Sequence, residues 1–131
     1  MVGTKGKKVL IVDDEPVLRT VAMTYFQQSG YEAKGAPDAA AGLELAESWR
    51  PDVILLDIIM PGINGLELLH TLKTDPLTKN IPVFIFSNLD SEDEIAQALD
   101  MGAAGYLTKA NYSLEDVQKK VEEVLQKKDM G

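Results

Sequence analysis

Cysteine is absent from the chain, histidine and tryptophan occur once each, and basic residues are outnumbered: 13 Lys and Arg stand against 21 Asp and Glu, a formal net charge of −8. Each shortage excludes something. With no cysteine and only His70 as an imidazole, expected to sit inert on a helix surface, a zinc centre lacks its preferred ligands. The negative balance opposes approach to nucleic acid or to an anionic membrane, so neither is expected as a direct partner. Apolar runs such as Val9–Val12 and Val53–Leu56 fall far short of the roughly 20 residues a membrane-crossing helix needs. The opening "MVGTKGKK" carries positive charge with no apolar segment of signal-peptide length behind it. These absences agree with a cytoplasmic location. No GxxxxGK[ST] loop is present, which disfavours a nucleotide-hydrolysing enzyme.

What is present is enough for one core. At 131 residues with 45% hydrophobic content, a single domain is expected, spanning residues 7–128 between short tails at 1–6 and 129–131. "KKVLIVDDEP" reads as a strand, Lys8–Val12, continuously apolar from Val9 and so covered on both faces. Asp14 ahead of Glu15-Pro16 has the order of a helix N-cap followed by proline in the first turn. Val17, Leu18, Val21, Ala22, Tyr25 and Phe26 then recur at helical spacing, and Gly30 is a stop. The cycle repeats. A strand at 31–36 precedes a helix at 38–49, a strand at 53–56 precedes a helix from about Asn64 to Thr74, "IPVFIF" precedes a helix capped by Ser91, and "AGYLT" precedes a closing helix from about Ser113. In that last helix Leu114, Val117, Val121, Val124 and Leu125 form an apolar stripe. Five strands alternating with five helices predict the α/β class, a five-stranded parallel sheet with helices on both faces.

In such sheets ligands bind outside the carboxyl ends of the strands, where the winding reverses. Asp13 and Asp14 follow the first strand, Asp57 the third, Ser87 the fourth and Lys109 the fifth. Asp57 interrupts the apolar "ILLDIIMPG", and burying an unpartnered carboxylate costs several kcal/mol. It is therefore expected at the mouth of a pocket, compensated by a cation, with Lys109 opposite. Neighbouring carboxylates need a shared proton or a cation, and oxygen-only ligands favour magnesium or manganese. An anion attached to Asp57 would meet a metal on one flank and the Lys109 ammonium with the Ser87 hydroxyl on the other, the equipment of phosphoryl transfer. A carboxylate can itself accept a phosphoryl group.

The stretches "VLIVDDEP", "RPDVILLDIIMPGINGLELL", "IPVFIFSN" and "MGAAGYLTK", in that order and spacing, resemble the receiver domain of the two-component response-regulator family. The likeness covers essentially the whole chain, at the size of a stand-alone chemotaxis regulator. It implies a flavodoxin-like doubly wound sheet in strand order 2-1-3-4-5 and a phosphorylation-controlled switch that catalyses only its own phosphotransfer and dephosphorylation. By resemblance, Asp57 accepts the phosphoryl group from a sensor histidine kinase or a histidine phosphotransfer protein. Asp13, Asp14, Asp57 and the main-chain carbonyl of Ile59 would hold Mg2+ or Mn2+, Asp13 through water. Ser87 and Lys109 would contact the phosphoryl oxygens, and Tyr106 would be the switch aromatic that turns inward with Ser87. A downstream protein would meet residues 91–101, 105–108 and 113–126, and a phosphorylation-dependent homodimer is compatible with the pattern. With only "KKDMG" after the last stripe, no output domain is expected within this chain, whether it is a stand-alone protein or part of a longer regulator.

Three departures from the family's pattern flank the site. Ala110 follows Lys109 where relatives have proline, usually after a cis peptide. A cis bond before a non-proline residue costs roughly 2.5–4 kcal/mol, so a trans bond and a shifted loop at 109–112 are expected. Asn88 stands where relatives have a small residue, and would narrow access to Asp57 or offer its amide to a phosphoryl oxygen. Ile59 and Leu89 are apolar and cannot orient an attacking water, which predicts a long-lived phosphoryl state. Two other readings stay open. One is a docking or dimerising receiver that is never phosphorylated, favoured by Ala110 and Asn88. The other is a haloacid-dehalogenase-like phosphatase, weakened because the acid required two residues after Asp57 is Ile59. A flavodoxin-like cofactor binder is disfavoured, because Asp13-Asp14-Glu15 after the first strand would repel phosphate.

Overall fold

Strands that are apolar on both sides cannot form a sheet with a wet face. In the computed structural model, which describes residues 6–60, 65–89 and 91–130, the chain meets that demand by alternating strand and helix. β1 (Lys8–Val12), α1 (Pro16–Gln28), β2 (Glu32–Ala36), α2 (Ala39–Ser48), β3 (Val53–Leu56), α3 (Gly65–Thr74), β4 (Val83–Ser87), α4 (Glu92–Asp100), β5 (Gly105–Thr108) and α5 (Leu114–Met130) follow in order. All neighbouring strands pair parallel, and the sheet runs 2-1-3-4-5, as expected.

Alternation along each strand divides the core. Val9, Ile11, Val53, Leu55, Phe84 and Leu107 face one side, where Ala22 and Phe26 of α1 and Val117, Val121 and Leu125 of α5 cover them. Leu10, Val12, Ile54, Leu56, Val83 and Ile85 face the other, under α2, α3 and Ala98 of α4. Phe26 and the central strand residues are fully buried. Asp38 and Ser91 cap α2 and α4 by accepting from the amides of Ala41 and Glu94, which satisfies otherwise unpaired helix donors.

One sequence expectation is corrected on α1. Asp14 does not cap the helix: Glu15 occupies the N-cap position, without a side-chain cap bond, and Pro16 opens the first turn. The Glu15 amide is instead taken by Asp13 Oδ1 at 3.0 Å, so a two-residue side-chain turn has replaced the cap. The apolar stripe of α1 is also wider than its contact with the sheet. Ala22 and Phe26 are buried, whereas Val17, Leu18 and Val21 are 73%, 41% and 50% exposed. Beneath Leu18 and Val21 lies a cavity of about 290 Å³ rather than packed side chains.

Gly65 opens α3 hard against the exit of β3. A Cβ there would lie 2.3 Å from the Cα of Ile58 and 3.0 Å from the carbonyl oxygen of Asp57. These are main-chain atoms that cannot rotate aside. Gly65→Ala is therefore expected to cost about 3 kcal/mol, read as a lowered urea midpoint with unchanged slope.

Candidate functional site

The winding reverses between β1 and β3, which lie side by side with Val12 opposite Leu56. Their exits are pinned to the sheet by main-chain bonds. The amide of Asp57 donates to Val12 O at 2.9 Å, that of Asp13 to Ala36 O at 3.0 Å, and that of Lys109 to Ser87 O at 2.9 Å. Side chains from three strand ends therefore converge. Lys109 Nζ lies 2.8 Å from Asp13 Oδ2 and 2.9 Å from Asp57 Oδ2. The remaining oxygens are taken as well: Asp13 Oδ1 accepts from the Glu15 amide at 3.0 Å and Asp57 Oδ1 from the Ile59 amide at 2.9 Å.

This arrangement corrects the expected place of Asp57. It is buried, 4% exposed, as is Asp13, rather than sitting at a pocket mouth. Burial is tolerated because each carboxylate has an ammonium on one oxygen and a main-chain donor on the other, the condition under which a buried charge persists. Burial pushes the Lys109 pKa down and is the largest single influence. The bonds and charges of Asp13 and Asp57 together outweigh it, leaving the pKa above its usual 10.5.

Asp14 points from the same turn and is half-buried. Asp13, Asp14 and Asp57 each offer an oxygen within 4.8 Å of the others. Three carboxylates with no imidazole or thiolate suit a hard divalent cation such as Mg2+ or Mn2+. Facing one ammonium, they leave a formal charge of minus two, which such a cation would balance.

Ser87 ends β4, is fully buried, and among the described residues its hydroxyl accepts a long bond, 3.3 Å, from the Leu89 amide. Tyr106 on β5 is half-buried and donates its hydroxyl to Leu89 O. Asn88 is exposed and lines the α1-side cavity beside Asp13 and Lys109. Ile59 is 49% exposed and Ala110 is exposed. No cis peptide occurs among the described residues, so the Lys109–Ala110 bond is trans, and the amides of Asn111 and Tyr112 turn back onto Thr108 O at 3.1 and 3.0 Å. His70 lies exposed on α3. The part of the expected 57–63 loop at 61–63, and the expected helix start at Asn64, fall outside the described residues.

One contributor escaped the sequence reading. Arg19 Nη1 donates to Asp13 O at 2.7 Å, reaching back from α1 to the turn that carries the acids. Its own position in α1 gave no sign of this. The available signal was Gly35, a glycine inside a strand, which marks close approach by another group.

Fold and pocket together describe a doubly wound α/β protein with a cation-ready acidic cleft, and sequence comparison places it. The profile of the response regulator receiver domain matches residues 9–122; the chain belongs to that family. The phosphate regulon transcriptional regulatory protein PhoB of Pseudomonas aeruginosa is 35% identical over 126 residues, 96% of this chain but 55% of that protein. Protein PilH of the same organism is 36% identical over 102 residues, 78% of this chain and 84% of the relative. Among solved structures, a CheY-like receiver domain protein from Methanospirillum hungatei superposes with a TM-score of 0.89 at 26% identity, covering 96% of this chain and 98% of that one. Vibrio cholerae chemotaxis protein CheY4 gives 0.84 at 29% identity, covering 91% and 98%. The chain spans about half the length of curated relatives such as PhoB. Receiver domains are signalling modules of two-component systems rather than classical enzymes; response regulators are phosphorylated by histidine kinases and act on downstream partners. No helix among the described residues is long and apolar enough to cross a membrane.

Because folding raises the Lys109 pKa above 10.5, the stability its charge contributes is complete below that pH and is lost as pH climbs through the folded value. Lys109→Met should cost about 3 kcal/mol at pH 7 by leaving two buried carboxylates uncompensated. The deficit should narrow as pH climbs through the folded Lys109 pKa, above 10.5, where the wild-type ammonium is itself lost; urea unfolding of both proteins across the pH range checks it.

Proposed function

We propose that this receiver, residues 7–128, is a phosphorylation-controlled switch in which Asp57 accepts a phosphoryl group from a phosphohistidine donor, and that the switched surface regulates a protein partner. The observation that carries this is the Lys109 ammonium bonded to both Asp13 and Asp57 inside a three-aspartate cleft at the sheet's switch point. In the reaction an Asp57 oxygen attacks phosphorus, the phosphorus–nitrogen bond breaks, and the imidazole leaves with that electron pair. Such transfer depends mostly on positioning and on neutralising charge. Lys109 supplies one positive charge from beside the attacking carboxylate. Asp13, Asp14, Asp57 and the Ile59 carbonyl would hold Mg2+, which when bound offsets the negative charge of the phosphoryl oxygens. The exposed apolar residues Leu18 and Val21 border the cavity that also meets Asp13 and Lys109 and, with the exposed Val17 next to them, give the donor a contact surface near the reacting carboxylate.

Ser87 is suited to follow the phosphoryl group because the bond its hydroxyl accepts from the Leu89 amide is long, 3.3 Å. Its neighbour Leu89 is tied to Tyr106, so a shift at Ser87 reaches the β5 aromatic and with it the surface formed by 91–101, 105–108 and 113–126. Half-buried Leu89 and exposed Ile59 carry no polar group with which to orient a hydrolytic water, which supports a long-lived phosphoryl state.

Acetyl phosphate with Mg2+ is expected to label the protein, with Asp57→Asn unlabelled; absence of labelling would instead favour a receiver that docks without phosphorylation. Bound phosphoryl should decay over many minutes or longer once donor is removed, and a half-life of seconds would refute the assignment to Ile59 and Leu89. A pull-down with beryllofluoride-treated against untreated protein should enrich the downstream partner.

A further inference from the structure

The acidic cleft is held open by a group outside it. Asp13 and Asp14 sit on a short turn between β1 and α1, where three carboxylates face the single Lys109 ammonium. On the β2 side the turn is tied by the Asp13 amide to Ala36 O at 3.0 Å. On the α1 side the tie is Arg19, whose amide bonds Glu15 O at 2.9 Å and whose guanidinium Nη1 bonds Asp13 O at 2.7 Å. One residue thus grips both ends of the Asp13–Glu15 segment. A charge-bearing donor makes the stronger class of hydrogen bond, and it brings a second positive charge towards carboxylates that Lys109 alone does not balance.

Arg19 can reach there because β2 carries no side chain in its path. A Cβ built on Gly35 would lie 2.8 Å from Arg19 Cγ, 2.9 Å from Arg19 Cδ and 2.6 Å from Met23 Sδ. The arginine stem therefore lies directly over the Gly35 backbone, opposite Ile11 of β1. Gly35 pairs with Arg19 as a sequence-distant unit, a bare strand position and the long side chain that crosses it.

We infer that Arg19, admitted by Gly35, is a positioning residue for the cation site: it holds the Asp13–Asp14 turn in the geometry that presents both carboxylates with Asp57. The inference rests on the cleft being a cation site and adds the group that preorganises it. Groups behind the ligands of a metal typically alter its affinity when removed, commonly by about tenfold or more.

The test is Mg2+ binding measured by isothermal titration on the unphosphorylated protein, for wild type, Arg19→Met, Gly35→Ala and the double variant, each confirmed folded by its urea transition. Arg19→Met should weaken Mg2+ about tenfold while keeping the apolar stem. Gly35→Ala, with Arg19 still present, should weaken it in the same direction by displacing the stem. The double variant should be no weaker than Arg19→Met, because both changes act through one contact. Amide exchange without metal should quicken at Glu15 and Asp13 in Arg19→Met but not at Asp57, whose tie to Val12 O is intact. A purely structural strap would lower the urea midpoint yet leave the Mg2+ affinity of the folded protein within about twofold, and that result, or additive effects in the double variant, overturns the inference. If Arg19→Met does not fold, Gly35→Ala and its Mg2+ affinity decide alone. Failure of wild type to bind Mg2+ would sink the cation reading itself, a different result from unchanged affinity in the variants.

Discussion

Everything at the carboxyl edge depends on where the Lys109 ammonium sits. It lies within hydrogen-bond distance of two buried carboxylates, one 96 and the other 52 residues away in the chain. Each of those carboxylates would be intolerable alone at that burial. Bringing the three together requires β1 and β3 adjacent, β5 two strands away, and all exits on one edge, which is the winding the sheet adopts. The ion triple is thus a consequence of this strand order, which carries the three exits to one edge. It is also incomplete by design. Adding Asp14 leaves negative charge in excess, so the pocket that Lys109 makes possible still has a place for a divalent cation.

The same economy runs through the path from the pocket to the far side of β5. Ser87 is fully buried but weakly bonded, and Leu89 is held from both sides, its amide by Ser87 and its carbonyl by Tyr106. A long bond at one end of a chain of contacts is the place where that chain yields first. On the opposite flank the first turns of α1 leave Val17, Leu18 and Val21 exposed, the last two lining a cavity. There the molecule keeps apolar surface uncovered next to its reactive group instead of completing the core.

Much of this was legible in the residues. Doubly apolar strands, helix stripes and capping serines marked the elements, because period and capping are local properties of a chain. Asp57 stood out for the same reason: a lone acid in an apolar run is a local anomaly. The errors have a common source. Asp14 looked like a cap because it precedes Glu15-Pro16, but the helix starts one residue later, with Glu15 at the N-cap position and its amide taken by Asp13 through a side-chain turn, and the orientation of the β1 exit decides that. The helical spacing of the α1 stripe left its burial open, because periodicity reports apolar residues without saying how far the surface beneath them extends. Asp57 was expected at a pocket mouth because the strength of its compensation, an ammonium from β5 and the Ile59 amide, is a property of the assembled site.

The sequence alone determined the order and type of elements, their parallel winding, and the set of charged residues that would meet at one edge, since strand and helix periods together with the right-handed crossover leave few alternatives. Tertiary structure decided what each charge is worth. Whether a carboxylate is buried, which oxygen it shares, that Arg19 crosses a bare Gly35 to hold Asp13, and that half of α1 stays uncovered are all matters of distance between residues far apart in the chain. Electrostatic energies change severalfold over a few ångströms and with burial, and no pattern of neighbours along the chain encodes those distances.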